Sequence, residues 1–232
     1  MEEINMRAFK TSWMVFAAIV ALTGNAAAQF SVGADVVSRY IWRGQDYGNN
    51  VSVQPSLAFA APLGPGGLKV GAWGNFAVSN NDANENDLYI NYSIGKVTFI
   101  VTDYFFPSFT ENNNFFEYGD DGAHVFEVGA SVSAGMVNIS GYYNLFGFDD
   151  ENSVYGLVSV TPPYSVEGIT FSVFAAGGNG IYDFTDEPGD SGPNFVVTEL
   201  GLTVNKDRFF ASYILNPDQE TAFLVFGIHL YN

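Results

Sequence analysis

Thr221-Ala222-Phe223-Leu224-Val225-Phe226-Gly227-Ile228-His229-Leu230-Tyr231-Asn232 sets Ala222, Leu224, Phe226, Ile228 and Leu230 on one side of an extended chain. Thr221, Gly227 and His229 fall on the other. A period of two with unlike faces marks a strand lying between two different surroundings. The alternation recurs upstream. Phe30, Val32, Ala34, Val36, Tyr40 and Trp42 oppose Ser31, Gly33, Asp35, Arg39 and Arg43; Leu68, Val70, Ala72, Phe76 and Val78 oppose Lys69, Gly71, Trp73, Asn75 and Ser79. Leu88, Ile90, Tyr92 and Ile94 oppose Asp87, Tyr89, Asn91 and Ser93, and Val137, Ile139, Tyr143 and Leu145 oppose Asn138, Ser140, Tyr142 and Asn144.

This reading predicts twelve strands, near 30–43, 51–61, 67–79, 86–95, 97–106, 123–134, 136–146, 152–161, 168–176, 195–205, 207–215 and 221–231. Two are irregular. Strand 97–106 is apolar on both faces, and Pro55 sits inside the second strand, where it cannot donate to a ladder.

The 232 residues contain no Cys, which removes disulfides, thiolate metal sites and Cys nucleophiles. With 22 Phe, 13 Tyr and 25 Gly, the chain has too many aromatics for a disordered polyelectrolyte. Its 8 Lys+Arg against 25 Asp+Glu give a formal charge of −17, which repels phosphates and argues against nucleic-acid binding.

The connections separate by parity. Odd ones are long and acidic: Gly44 to Asn50, Asn80 to Asn86, Pro107 to Gly122, Gly147 to Asn152, Gly177 to Asn194 and Asn216 to Glu220. Even ones are short: Pro62 to Gly66, Gly95-Lys96, Ala134-Gly135, Pro162-Pro163 and Asn205 to Asp207. Taking Asp87 with its loop, 17 of the 23 acids after residue 28 belong to the odd set, whereas Lys69, Lys96, Lys206 and Arg208 lie beside even turns. An up-and-down sheet puts odd and even turns at opposite ends, so one end is loop-rich and anionic.

That polarity is expected of an outer-membrane barrel with short periplasmic turns and long external loops. Strands cross lipid only when the sheet closes, because an open edge would leave unpaired N–H and C=O groups in hydrocarbon. The expected fold is therefore all-β: a transmembrane antiparallel up-and-down β-barrel of about 12 strands (10–14). Tyr40, Trp42, Tyr92, Tyr143 and Tyr213 are expected in interfacial girdles. A secreted β-sandwich or propeller also alternates, and turn parity is what favours the barrel.

Trp13 to Leu22 is a short apolar run after Arg7 and Lys10 and before Ala26-Ala27-Ala28. These are the parts of a Sec signal peptide cleaved after Ala28, giving residues 1–28 as signal and 29–232 as barrel. The expected destination is the bacterial outer membrane.

Leu230, Ile228, Phe226 and Leu224 occupy positions three, five, seven and nine from the C-terminus, which resembles the terminal-strand signature of assembled outer-membrane proteins. Ala34-Asp35-Val36-Val37-Ser38-Arg39-Tyr40-Ile41-Trp42-Arg43-Gly44-Gln45 resembles the opening strand of the TorF-like porin family and related bacterial outer-membrane β-barrel proteins of unknown function. Val53-Gln54-Pro55-Ser56-Leu57, Gly71-Ala72-Trp73-Gly74, Asp87 to Tyr92 and Thr102 to Pro107 are similar to the same group. The resemblance covers about the first third of the chain and implies a twelve-strand barrel with a porin role assigned by analogy.

Catalytic chemistry is not expected. Neither His124 nor His229 belongs to a nucleophile–base motif. His124 reads as part of an interfacial polar ring on the lipid side, and His229 as lining the interior. Gly177-Gly178-Asn179-Gly180 lacks the Lys and helix of a phosphate cradle. No cofactor and no metal site are expected. The acidic loops read as solvated or as loosely bridging divalent cations to lipopolysaccharide.

Pore-lining candidates are Asp35, Arg39, Arg43, Trp73, Tyr89, Glu127, Tyr142, Tyr155 and Glu199. Charges on a lumen set ion selectivity; equally, they can pair and fill a barrel of this size. The expected function is passive diffusion of small solutes or ions through a narrow lumen. The alternative is a closed barrel acting through its acidic external loops. Partners on either reading are outer-membrane lipid and lipopolysaccharide, with small solutes or ions on the first.

Overall fold

The computed structural model describes residues 29–79, 84–108, 114–119, 122–149, 151–183 and 194–231. The expected signal segment 1–28 lies outside these residues. The strands are β1 (Gln29–Val37), β2 (Tyr40–Trp42), β3 (Gln45–Gly48), β4 (Ser52–Leu63), β5 (Gly66–Ala77), β6 (Glu85–Ile94), β7 (Val97–Phe105), β8 (His124–Ala134), β9 (Val137–Gly147), β10 (Val154–Val160), β11 (Ile169–Gly178), β12 (Val196–Lys206), β13 (Phe209–Asn216) and β14 (Thr221–Tyr231). Twelve of them close into an antiparallel barrel in which β1 pairs with both β4 and β14; β2 and β3 form a separate hairpin.

The period-two pattern becomes the wall. Phe30, Val32, Leu57, Leu88, Ile90, Phe99, Ile139, Val158, Leu224 and Phe226 point outward and are exposed, while Asn75, Glu85, Glu127, Asn144, Thr198 and Asn216 are buried inside. The tight turns begin on residues with positive φ, among them Gly64, Gly95, Gly135 and Asp207, which two-residue hairpin loops require. Opposite Pro55 the ladder to β5 is interrupted: Val53 pairs with Phe76 and Ser56 with Trp73, with no pairing between.

The structure departs from the sequence reading in four places. Strand 30–43 is not one wall strand, because the wall ends at Val37 and residues 38–51 turn into the barrel as the β2–β3 hairpin. Tyr40 and Trp42 are therefore interior groups, not an interfacial girdle; Tyr40 is buried and bonds Glu85, and Trp42 packs on Tyr104. Glu85, assigned to an external loop, lies on β6 and is buried inside beside Asp87, which is counted with that loop's acids although its place on the strand's inner face holds. The turn placed at Pro162-Pro163 spans residues 161–168, with a bridge between Val166 and Ile169 closing it.

The hairpin supplies the barrel's apolar filling. Ile41 packs against Val37, Ile214, Phe223 and Val225. Trp42 and Tyr47 join Tyr104, Phe106 and Val125, and Trp42 also reaches Tyr155, Ala176 and Tyr182. This explains strand 97–106: Tyr104, on the inner face of β7, and Phe106 just beyond it meet the hairpin, while Phe99 and Val101 face out.

Candidate functional site

β1 hands over to the hairpin at Ser38, whose N–H donates to the Phe226 carbonyl (2.8 Å) and whose Oγ accepts from the Phe226 N–H (3.0 Å). The hairpin pairs Ile41 with Asp46 and Trp42 with Gln45 around a two-residue tip. Both tip residues, Arg43 (φ 53°) and Gly44 (φ 81°), are left-handed, as a tight hairpin turn demands. A Cβ on Gly44 would fall 2.1 Å from the Thr198 carbonyl oxygen, so the tip lies directly on the β12 backbone. Asn216 Nδ2 donates to the Gly44 carbonyl (2.9 Å).

The Arg43 guanidinium is held as a fork. Nη1 donates to Glu127 Oε2 (2.6 Å) and Nη2 to Glu127 Oε1 (2.9 Å), which also accepts from the Tyr104 hydroxyl (3.0 Å). Nη1 also donates to the Tyr182 hydroxyl. Four rings surround the cation, with centroids 4.5 Å (Trp42), 4.8 Å (Tyr142), 4.4 Å (Tyr155) and 5.0 Å (Tyr182) away. Planar bidentate pairing and ring stacking together are what Arg provides and Lys does not. Burial opposes the Arg43 charge, but Tyr104, Tyr182 and Glu127 outweigh it and hold the guanidinium protonated. Burial pushes the Tyr182 phenol up to about 12 in spite of Arg43, so it remains a neutral hydroxyl.

Tyr155 donates from its hydroxyl to Glu199 Oε2, linking that carboxylate to the Arg43 cage. Nearer the mouth, Arg39 pairs with Asp46 (3.1 Å) and lies over the Phe223 ring. Gln45 Nε2 donates to the Ile181 carbonyl (3.0 Å), tying the hairpin to the short 3-10 turn Gly180–Tyr182.

Below the tip lies a cavity of about 360 Å³ lined by Tyr40, Trp42, Lys69, Trp73, Glu85, Asp87, Tyr89, Asn91, Ile100, Thr102 and Tyr104. Tyr40 donates its hydroxyl to Glu85 Oε2 (2.7 Å). Burial, then the Glu85 charge, holds that phenol well above its ordinary value.

Of the nine residues singled out in the sequence, Arg43, Glu127, Tyr142 and Tyr155 meet in the guanidinium cage, and Glu199 joins through Tyr155. Trp73 and Tyr89 line the cavity. Asp35 stands apart, paired with His229 Nδ1 (2.7 Å), whose ring stacks on Phe210. Sequence reasoning missed Tyr40, Trp42, Tyr104 and Tyr182 as interior groups. It also missed Glu85, although carrying the Asp87–Tyr89 alternation two residues back places it on the inner face. His124 faces outward, as expected, but is buried beneath loop residues: Nδ1 meets Asp103 Oδ1 (2.7 Å), Nε2 meets the Phe115 carbonyl (2.8 Å), and Tyr118 stacks on the ring. Among the described residues no cluster of three or more His, Asp or Glu is placed to hold a metal ion.

No curated protein and no solved structure matches the chain. A family model matches residues 21–224, from ahead of β1 into β14, and on that match the chain belongs to the Gcw_chp family, bacterial proteins of unknown function.

Proposed function

We propose that this protein is an outer-membrane barrel that lets small solutes or ions diffuse through a narrow lumen, with the β2–β3 hairpin as its constriction. The observation that carries the reading is the inverted polarity of the wall. Large apolar side chains are exposed outward on strand after strand, while the buried interior holds Asn75, Glu85, Glu127, Asn144 and Glu199. A water-soluble protein hides the first set and exposes the second. In hydrocarbon the arrangement is favourable, because the closed sheet satisfies its own backbone and only apolar side chains meet lipid. Most wall strands have 9–12 residues, the span of a tilted transmembrane strand. The likeness of residues 34–45 to TorF-like porins supports the channel role, as does a lower lumen lined by Ser, Thr and Asn. On this reading residues 1–28 direct export, and the acidic loops face outward toward lipopolysaccharide and divalent cations.

Purified protein in a planar bilayer should give discrete conductance steps, small in the native chain and larger when Arg43 is replaced by Ala. Silence from both under varied salt and voltage rejects the channel. The four-ring cage around Arg43 favours a second reading, a barrel kept permanently shut whose acidic loops act at the surface. In that case deleting residues 107–122 removes a binding phenotype and leaves both proteins non-conducting.

A further inference from the structure

We infer that the cavity beneath the hairpin is a binding site for a small organic cation, specifically an alkyl primary ammonium. Glu85 is 1% exposed and Asp87 7%, yet Glu85 Oε1, Asp87 Oδ1 and the Asn91 Oδ1 beside them have no hydrogen-bond partner among the described residues. All three sit on the inner face of β6 and line one cavity. Buried polar atoms are almost always satisfied, so three bare acceptors around one space are a signature of an absent donor. A cation is the donor that would also neutralise both carboxyls, which otherwise hydrogen-bond each other only by sharing a proton. The ion pairs formed among the described residues use Arg39, Arg43, His124 and His229, leaving neither carboxylate with a cation within 4.0 Å.

The rest of the wall selects the kind of cation. Tyr40, Trp42, Trp73, Tyr89 and Tyr104 line the space with aromatic rings, a class of surface that attracts an ammonium and accommodates an alkyl tail. Lys69 Nζ, 5.7 Å from the Tyr89 centroid, is an example of that chemistry on the same wall. An inorganic cation is attracted by the rings too but has no alkyl tail to bury against them. A quaternary ammonium brings no N–H for the three acceptors. At about 360 Å³ the space is at the small end of ligand cavities, which limits the guest to a short amine. The inference concerns binding and does not need passage through the barrel.

The test is calorimetric titration of the refolded full chain in detergent micelles with n-butylammonium chloride, with sodium butyrate and sodium chloride at equal ionic strength as controls. One saturable site for the amine, absent for both controls, is expected. Glu85→Gln and Asp87→Asn, near-isosteric changes whose folding is checked by heat-modifiable gel migration, should each weaken it at least tenfold. Glu117→Gln in an external loop should not. Trp emission of the native protein, with Trp42 and Trp73 on the cavity wall, should shift over the same concentration range. Absence of saturable binding, as when the two carboxyls simply share a proton, overturns the inference, as does equal affinity in the variants. A silent bilayer with saturable amine binding sinks the channel and leaves the site; a conducting barrel that ignores amines does the reverse.

Discussion

Replacing Arg43 with Met tests whether the hairpin is latched in the lumen by its charge. The change keeps an apolar stem near the Trp42 and Tyr155 rings and removes the guanidinium. Glu127, 1% exposed, then loses both forked bonds and keeps only the Tyr104 hydroxyl. Removing one partner of a buried pair typically costs about 3–5 kcal/mol, most of it from the stranded charge. At 1.4 kcal/mol per tenfold, hairpin docking weakens by roughly a hundred- to a few-thousand-fold. Hydrogen exchange read by mass spectrometry on the detergent-refolded barrel should register this as lost protection across Tyr40–Gly48, with β5–β6 amides unchanged. A sign reversal sharpens the test. Glu127→Gln alone should destabilise the hairpin by leaving Arg43 without its anion. On the Arg43→Met background the same change should restore roughly 1–3 kcal/mol by removing the uncompensated carboxylate. If Glu127→Gln has the same sign in both backgrounds, or if the wall loses protection along with the hairpin, the latch argument fails.

Gly44→Ala forces a left-handed non-Gly residue whose Cβ meets the β12 backbone 2.1 Å away, and should cost at least about 2 kcal/mol. Gly64→Ala, also at positive φ but with open space around it, should cost only about 1 kcal/mol in the same urea titration. His124→Ala removes the group joining Asp103 to the Phe115 carbonyl, so protease nicking within residues 107–122 should accelerate several-fold while the barrel resists. Tyr118, whose phenol burial and then Asp103 push up to about 12, titrates later in the folded loop than in a free chain. Its contribution to loop docking is therefore complete below pH about 10 and lost as pH rises toward 12. Ultraviolet titration of wild type against Tyr118→Phe should show one phenolate ionising near 12, and an ordinary midpoint there refutes the assignment.

The wall was legible because its physics is local. Side chains alternate across a sheet whatever the sheet's neighbours, so Leu224, Phe226 and Ile228 declare an outward face without any knowledge of β13. Gly95 and Gly135 likewise announce turns through backbone freedom alone. The hairpin was not legible because Tyr40 and Trp42 continue the parity of Phe30 to Val36. Leaving the wall at Ser38 does not disturb a two-residue period. One signal was available: strand 30–43 is longer than any wall strand, which run from 7 to 12 residues. Glu85 misled for another reason. Acidity at a strand's end reads as solvent exposure, but inside this barrel carboxylates are shielded by a hairpin contributed from far along the chain.

On the proposed channel reading, that hairpin divides the lumen into halves with unlike physics, which limits where selectivity can arise. In the half near the tight turns, small polar side chains satisfy one another sideways along the wall: Ser93 with Thr98 (2.9 Å), Asn138 with Ser133 (2.9 Å), Thr161 with Ser172 (2.9 Å) and Thr203 with Ser212 (2.8 Å). Groups bonded to wall neighbours have little to offer a passing solute, and the charged groups of this half are few, Lys69 and the Asp35–His229 pair among them. In the loop-side half Arg43 reaches across to Glu127, and Glu85 and Asp87 line the cavity beside the hairpin. Substitutions among the Ser and Thr rungs should therefore alter conductance through bore alone, whereas a change at Asp87 or Arg43 should alter the ratio of cation to anion passage. A reversal potential that responds to Ser131→Ala as strongly as to Asp87→Asn would place the selective element in the wrong half and undo the division.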